Sequence, residues 1–319
     1  MSGYTATYVT DSIHGMFDIA SIRPVVETRE FQALREKRQL GMTYLVFPDA
    51  THSRYSHSLG AYRGTRTLTH RLKSDGCITE EQQRALCVYA AVHDLGHPAF
   101  SHVCEDFLPL DDDQRTLELV KYRLRDQVIA CGVDPEYLCR LIDHAHPNAD
   151  PLWRIVHDKN LGMEKLDYLQ RDGESVGFGC PPALLAIRNQ VFFVDGHMAI
   201  DEKIVDHAID LLSFYMKMYK EVYFRKGLVI AQRMFQKAVY GLIRTGVLQA
   251  EMLYDMTDPE LLGRLSLSQD PVTSSLYAQL RERSLFKEAI VVRPERFERE
   301  TRVAGKPIAV RGVNSELML

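Results

Sequence analysis

The chain has 319 residues, of which 45% are hydrophobic, and 39 basic against 43 acidic residues give a net charge of −4. That length and apolar content can bury a substantial core, and the balanced charge provides no global positive field for nucleic acid or anionic lipid. Any polyanion must therefore be held by a local basic pocket. No signal peptide or membrane span is expected from the sequence, and six scattered cysteines predict reduced thiols in a cytoplasmic protein.

Helical patterns dominate the first part of the chain. A short β element is expected over residues 8–19, around Gly15. Helices then follow at about 21–40, 54–73, 80–94, 114–131, 135–145, 151–158, 163–172 and 183–189. The best marked of these begins at a capping box in which Thr79 precedes Gln82.

The second half combines one hairpin signal with a long helical region. Asp195-Gly196 separates two apolar runs, which is a strong signature of a β-hairpin. An amphipathic helical pattern covers about 202–246, and the tail from residue 286 onward indicates short strands. The sequence predicts a mainly α fold with small β-hairpins.

A histidine and an aspartate stand together where a buried helix ends. His93 and Asp94 follow an apolar run, and the last turn of a helix lets both side chains face one point. A neutral imidazole and a carboxylate suit a divalent transition metal. Such a pair more often marks an ordinary hydrogen bond, but further histidines occur nearby, with His57 upstream and His97 and His102 downstream.

A later helix carries an acid ahead of an Asp-Tyr pair. The order of His57, His93-Asp94, Glu164 and Asp167-Tyr168 resembles the signature of the HD phosphohydrolase superfamily, and is closer still to its deoxynucleoside triphosphate (dNTP) triphosphohydrolase branch. The resemblance covers roughly residues 8–230 and is carried by motifs in family order at 11–15, 31–35, 39–41, 47–60, 93–102 and 166–172.

The resemblance implies an HD-domain helical bundle and two parts of the chain. We expect a phosphohydrolase core over residues 1–245 and a small α+β C-terminal lobe over residues 246–319. It also implies a nucleotide substrate and a homo-oligomer, a dimer or larger. Nucleic acid and membranes are not the expected partners.

The resemblance also implies one divalent metal ion, whether Mn, Fe, Ni, Co, Zn or Mg. His57, His93 and Asp94 match three of its ligands. The fourth ligand in the family is an aspartate at the position of Glu164, whose extra methylene lengthens the reach of the carboxylate. Asp167 is the competing candidate for the fourth ligand, and Glu164 is favoured.

Catalytic and substrate-binding roles follow from the same resemblance. His102 matches the general acid that protonates the leaving oxygen, and Glu105, about one turn later, matches the carboxylate that orients it. Asp94 is expected to act in catalysis as well as to bind the metal. The family's substrate contacts fall on phosphate-binding Arg54, His97 and Lys165, on Gln39 and Asp172 for the sugar 3′-hydroxyl, and on Tyr168 and Tyr223 against the sugar. Read alone, the two tyrosines fit core packing equally well.

Several positions depart from the family pattern. Leu117 stands where a second catalytic histidine is common, and Thr7 stands where the nucleotide-activation site has a lysine. The resemblance favours hydrolysis of dNTPs to deoxynucleoside and triphosphate. The alternatives are phosphatase or phosphodiesterase action on other nucleotides or nucleic-acid ends, and a non-catalytic nucleotide-binding scaffold. The cluster at 143–146 around His144 is read as a loop rather than as a second metal site.

Overall fold

The computed structural model describes residues 7–147 and 149–287, together with the backbone of four short strands further on. Contacts between residues divide the chain into two compact units, Met1–Leu285 and Phe286–Leu319. The predicted boundary after residue 245 stays a prediction.

The first unit is built mainly of helices. Its α-helices are α1 (Arg23–Val26), α2 (Arg29–Ala33), α3 (Arg54–Ser74), α4 (Glu80–Val92), α5 (Asp112–Glu118), α6 (Arg125–Ala130), α7 (Pro135–Ile142), α8 (Arg154–His157), α9 (Met163–Ser175), α10 (Pro182–Gln190), α11 (Val205–Met218), α12 (Lys226–Arg244), α13 (Met252–Asp255), α14 (Asp258–Ser266) and α15 (Pro271–Arg281). Short 3₁₀ segments join several of them, and one-turn π segments lie at Leu119–Arg123 and Tyr219–Tyr223. The mainly α fold predicted from the sequence is confirmed.

The centre of the unit is the packing of α3 against α4 and α9. Every residue of α4 from Ala85 to Val92 is buried, so this helix is apolar on all sides. It begins at the predicted capping box, in which the Thr79 side chain accepts a hydrogen bond from the Gln82 backbone. A large core thus holds α3, α9 and the end of α4 in place, and these carry or border several of the candidate site residues.

A second core forms around α12, which packs on α15 and α14. The buried side chains of α12 recur at helical spacing and include Leu228, Ala231, Phe235 and Leu242. The same core contains Phe100, which follows His93 by seven residues and His97 by three. The loop after α4 thus lies between the central helices and the C-terminal helices of this unit.

Two predicted hairpins are present in the first unit. The strands β1 (Tyr8–Asp11) and β2 (Gly15–Asp18) pair antiparallel, as do β3 (Phe192–Val194) and β4 (His197–Ala199). Asp195 and Gly196 both have positive φ, at 50° and 78°, which is the conformation that the Asp-Gly turn of a tight hairpin requires.

Three long helical predictions are interrupted in the structure. The π segment Leu119–Arg123 divides the region at 114–131 into α5 and α6. The region at 21–40 is broken at Thr28, whose hydroxyl accepts the backbone hydrogen bond that begins α2. The region at 202–246 is broken by a π segment, Tyr219–Tyr223, after which Arg225 is extended and begins α12. A π segment inserts a residue into the helix and turns the side chains around it, and here it aims Tyr223 at the site described below.

The second unit is described only by its strands. The pair β5 (Arg302–Val303) and β6 (Lys306–Pro307) is antiparallel, as is the pair β7 (Arg311–Val313) and β8 (Glu316–Met318). The strand predicted at 289–292 and most of the one predicted at 307–310 lie outside the described residues. Within the described part of the chain, no helix combines the length and apolar character needed to cross a membrane.

Candidate active site

Three buried ligand-type side chains converge between α3 and the end of α4. Nε2 of His57 lies 3.2 Å from Nε2 of His93, and these two atoms lie 3.9 Å and 3.4 Å from the carboxylate oxygens of Asp94. All three side chains are no more than 6% exposed. Two ligands bound about 2.1 Å from one ion stand roughly 3 to 4 Å apart, so the spacing is that of a metal ligand set.

The remaining nitrogen of each imidazole is already engaged. Nδ1 of His57 is 2.8 Å from Asp167, and Nδ1 of His93 is 2.9 Å from the carbonyl of Ala90. When Nδ1 donates to such an acceptor, Nε2 keeps its lone pair and faces its partner. Burial lowers the pKa of His93, which favours the neutral ring that a metal needs.

Asp167 is the centre of a buried ion-pair network behind His57. Its carboxylate also contacts Nε2 of His14 at 2.6 Å and Nε of Arg171 at 2.7 Å. Arg171 in turn makes two hydrogen bonds to Asp11, at 2.9 and 3.1 Å. With both oxygens occupied in this way, Asp167 orients His57 and does not face the cluster.

Gly60 leaves room for this network. A Cβ at that position of α3 would run into the carboxylate of Asp167 and the guanidinium of Arg171. Only glycine therefore allows the two helices to approach closely enough for Asp167 to reach His57.

Asp94 is paired with Arg54. Nη1 of Arg54 lies 2.8 Å from Asp94 Oδ2, yet that oxygen accepts no well-aligned hydrogen bond, and Nη2 of Arg54 has no partner either. Although burial raises it, the Arg54 guanidinium and the neighbouring His93 hold the pKa of Asp94 well below its usual range. A buried carboxylate oxygen without a hydrogen bond fits a cation at the cluster.

Glu164 reaches the cluster from α9. Its Oε2 lies 3.7 Å from Nε2 of His93 and 2.7 Å from Nδ1 of His157. Glu164 thus lies beside His93, whereas Asp167 lies behind His57, and the choice of Glu164 as the fourth ligand stays a prediction. His157 stands between this carboxylate and a second group of side chains, Asp113 and His144.

A chain of imidazoles and carboxylates leads from the cluster to the surface. His97 contacts Asp94 at 3.3 Å, Asp112 at 3.0 Å and Glu105 at 3.2 Å. Glu105 then lies 2.8 Å from Nδ1 of His102, whose side chain is 71% exposed. The predicted pair of acid and orienting carboxylate is therefore brought together at the mouth of the site.

Charges in this chain stabilise one another. Burial and Arg54 lower the pKa of His97, but Asp112 and Asp94 outweigh them and raise it to about 10. Burial raises the pKa of Glu105, yet hydrogen bonds from His102 and His97 bring it to about 2. The two groups thus form a charged pair across a wide pH range.

The loop after α4 is held by residues of α13 and α14. Phe100 and Ser101 have positive φ, at 57° and 49°, and Ser101 accepts a 2.6 Å hydrogen bond from Nε of Arg54. Asp258 is 1% exposed and accepts hydrogen bonds from the backbone N–H groups of Phe100 and Arg38. Such backbone strain persists only where surrounding contacts fix it.

Lys37 is a buried cation that binds the same loop from outside it. Its ammonium donates to the carbonyl of His97 at 2.6 Å and to that of Tyr254 at 2.8 Å. Burial and the nearby Arg54 lower its pKa to about 8.

The predicted sugar-binding residues lie around Asp172 on α9. Its carboxylate accepts a 2.6 Å hydrogen bond from the Tyr223 hydroxyl and lies 2.9 Å from Nε2 of His52. The backbone of Gln39 donates to the carbonyl of His52, and Gln39 Oε1 is buried without a partner. Tyr168 is half-buried, with its ring 6.3 Å from that of His57.

Two predicted positions have other contacts. Lys165 donates to the carbonyl of Lys159 at 2.6 Å and lies over the ring of Tyr215, 3.5 Å from its centroid. Leu117 packs against the main core, as an apolar side chain must, and offers nothing to the site. The structure therefore does not bring Lys165 into the His-Asp cluster.

Sequence reasoning missed several side chains in or beside the site, namely His14, His52, Asp112, Asp113 and His157, and it read the cluster around His144 as a loop. The signal for His14 and His52 was present, because both stand in motifs that carry the resemblance. His157 precedes Glu164 by seven residues but lies on a different helix, so helical spacing gives no hint of their contact.

Comparisons with known proteins place the chain among HD-domain relatives. Residues 186–317 match a family described as the HD associated region. An uncharacterised protein of Bacillus subtilis, YwfO, is 31% identical over 67% of this chain and 51% of its own length. The human deoxynucleoside triphosphate triphosphohydrolase SAMHD1 is 39% identical over 54% of this chain and 34% of its own length. The chain thus spans about half of the first relative and a third of the second.

A solved structure supports the fold. A phosphohydrolase from Bacteroides thetaiotaomicron superposes with a TM-score of 0.77 at 23% identity, over 93% of this chain and 82% of that one. The sequence matches and the helical architecture agree, so the chain belongs to the HD-domain phosphohydrolase superfamily and resembles its dNTP triphosphohydrolase branch.

Proposed function

We propose that the chain hydrolyses dNTPs to deoxynucleoside and inorganic triphosphate with the help of a divalent metal. The observation that carries this proposal is the set of His57, His93 and Asp94, in which both imidazoles turn Nε2 toward a carboxylate. Glu164 would be the fourth ligand, since its Oε2 lies 3.7 Å from Nε2 of His93, the nitrogen that faces Asp94. The chemistry that such an ion supplies when bound is Lewis-acid activation of water and of a phosphoryl oxygen at neutral pH.

The proton for the leaving group comes from His102. Water adds to the α-phosphorus, the bond from phosphorus to O5′ breaks, and O5′ takes a proton from His102. Because Nδ1 of His102 is bound to Glu105, Nε2 is the nitrogen that faces outward with the proton to give. The exposure of this side chain supports a role at the leaving nucleoside.

Arg54 is the best supported of the phosphate-binding residues. Its Nη2 is buried and has no partner, so it can donate to a phosphate oxygen without losing another bond. His97 is held by three carboxylates and contributes positive charge next to the same place.

Asp172 supports a nucleoside substrate over a simple phosphate ester. Tyr223 and His52 fix its carboxylate, and Gln39 lies on the neighbouring segment with an unpartnered oxygen. A carboxylate and an amide so placed suit a sugar 3′-hydroxyl, and Tyr168 would close the space beside the 2′ carbon.

A second candidate function is hydrolysis of other phosphate esters, such as nucleoside mono- or diphosphates or nucleic-acid ends. Leu117 favours it, because a core leucine stands where related enzymes have a further histidine. Cytoplasmic location and a homo-oligomer remain predictions from the resemblance.

The test is a product assay on the four dNTPs, run beside metal analysis of the purified chain. Inorganic triphosphate, with activity that Asp94→Asn abolishes, is the expected result. Orthophosphate or pyrophosphate as the product would favour the second candidate. Absence of turnover with any phosphate ester would overturn both.

A further inference from the structure

Asp113, His144 and His157 offer three ligand atoms that all lie within 4.8 Å of one another. They come from α5, from the loop after α7 and from the end of α8, so the fold brings together three distant segments. We propose that these residues form a second divalent-metal site, with Glu164 between it and the cluster of His57, His93 and Asp94.

The His144 ring is fixed in the orientation that a ligand needs. Its Nδ1 lies 3.1 Å from the carbonyl of Ile142, which leaves Nε2 directed at Asp113. The ring also stacks on Trp153, with centroids 4.8 Å apart and planes at 30°, and lies 4.9 Å from the ring of His157. A metal-binding histidine is typically held in this way by a hydrogen bond at its other nitrogen.

The spacing is that of ligands and not of a hydrogen bond. Nε2 of His144 and Oδ2 of Asp113 are 3.7 Å apart, too far for a direct hydrogen bond and within the separation of two atoms bound to one ion. The three side chains are half-buried, so an ion can enter from solvent.

Glu164 connects the two groups. Its Oε2 contacts both His157, at 2.7 Å, and the His93 nitrogen, at 3.7 Å. Because Nδ1 of His157 is bound to Glu164, Nε2 of His157 is left for an ion, and Glu164 would orient this ligand while it faces the first cluster. The mixed imidazole and carboxylate set suits Mn, Fe, Co, Ni or Zn.

The chain contains its own reporter for this site. Trp153 is its single tryptophan and stacks on His144. Cobalt(II) bound at His144 should therefore quench the fluorescence of Trp153.

The experiment is a titration of the metal-free full chain with cobalt(II), read by Trp153 fluorescence and by metal content after removal of free ion. The proposed function concerns only the first site, the cluster of His57, His93 and Asp94. The titration is therefore also run in His57→Ala, which disables the first site and leaves the second intact. The expected result is two ions per wild-type chain, and one ion with retained quenching in His57→Ala.

The decisive variant is His144→Phe, which keeps the stacking on Trp153 and removes the ligand nitrogen. We expect one ion per chain and a quenching midpoint shifted by at least about tenfold. His146→Phe, an exposed histidine of the same loop outside the cluster, is the matched control and should behave as wild type. Asp113→Asn should reproduce His144→Phe, and circular dichroism checks that each variant is folded.

Two outcomes would overturn the proposal. One is a single ion per wild-type chain at saturation, lost in His57→Ala, which would leave the proposed function intact. The other is two ions in both wild type and His144→Phe. A single ion per wild-type chain that His57→Ala retains, together with the quenching of Trp153, would instead support the second site and count against the proposed function.

Discussion

The inner and outer sides of the site differ in how their charged groups are supported. The inner side comprises His57, His93, Asp94, Arg54, Asp167 and Lys37. The outer side comprises His102, Glu105, Asp113, His144 and His157. Inner side chains are nearly all less than 7% exposed and have buried partners behind them, whereas His102 is 71% exposed and Asp113 33%.

The two sides should therefore differ in their contributions to stability and to chemistry. A buried charge whose partner is removed costs several kcal/mol, so each inner residue holds the fold as well as the ligand geometry. An exposed group costs little to replace, because water takes over its hydrogen bonds. Changes on the inner side should alter stability and chemistry together, and changes on the outer side should alter chemistry alone.

Replacing an inner ligand should have the largest effect. His57→Ala removes one metal ligand and leaves Asp167 with an unpaired contact, so we expect metal content near zero at the first site and turnover reduced by at least about 10³-fold. His70→Ala, an exposed histidine on the same helix α3, is the control and should match wild type. Full activity in His57→Ala would place the reaction elsewhere.

Gly60→Ala tests the network behind His57 without touching a ligand. The added Cβ meets Asp167 and Arg171, so we expect the free energy of unfolding to fall by about 3 kcal/mol, as for a broken buried ion pair. Gly64→Ala lies one turn further along α3 and meets only the flexible Met163 at 3.4 Å or more. This control should be neutral or gain up to about 1 kcal/mol in helix propensity. Equal stability in urea unfolding would show that the helices separate without cost.

His102→Ala probes the outer side. Loss of the proton donor should lower kcat by about 10²-fold, while melting temperature and metal content stay as in wild type. The reason is exposure, since only Glu105 contacts the His102 ring as an ion pair. A fall in melting temperature comparable with that of Gly60→Ala would erase the distinction between the two sides.

Lys37 gives the inner side a measurable pH dependence. Its folded pKa of about 8 lies below the ordinary 10.5, so between these values the unfolded chain binds more protons and stability rises with pH. From pH 8 to pH 10 wild type should gain about 2 kcal/mol relative to Lys37→Met. If urea unfolding gave the same change in the free energy of unfolding with pH for both proteins, the Lys37 ammonium would not be desolvated in the folded state.

The helical elements and the adjacency of His93 and Asp94 followed from the sequence because their signals are local, whereas His57 was assigned only through the resemblance. The capping box at Thr79, the apolar run of α4 and His93-Asp94 stand next to one another in the chain. The Asp-Gly turn of β3 and β4 was equally direct. The breaks at Thr28 and in the π segment Tyr219–Tyr223 were missed, because helical periodicity continues through both and only tertiary contacts decide them.

The supporting residues could not be found in this way. Asp113, His144 and His157 carry no common motif, and their meeting depends on the angles between α5, α7 and α8. His144 was read as a loop residue, which it is, but its neighbours come from segments that the sequence does not align with it. The contact of Asp167 with His14 could not be found from the sequence either, because 153 positions separate the two residues.

The contacts of Asp258 affect the order in which parts of this unit fold during synthesis. It fixes the N–H of Phe100, and the carbonyl of Tyr254 fixes Lys37, so the loop after α4 is held by residues about 150 positions later in the chain. A nascent chain can assemble α3 and α4 by local contacts early in synthesis. It cannot hold Phe100 and Ser101 in their left-handed conformation until residue 258 has left the ribosome. The loop after α4 is therefore among the last parts of this unit to become ordered, and the candidate site is complete only when α14 has formed.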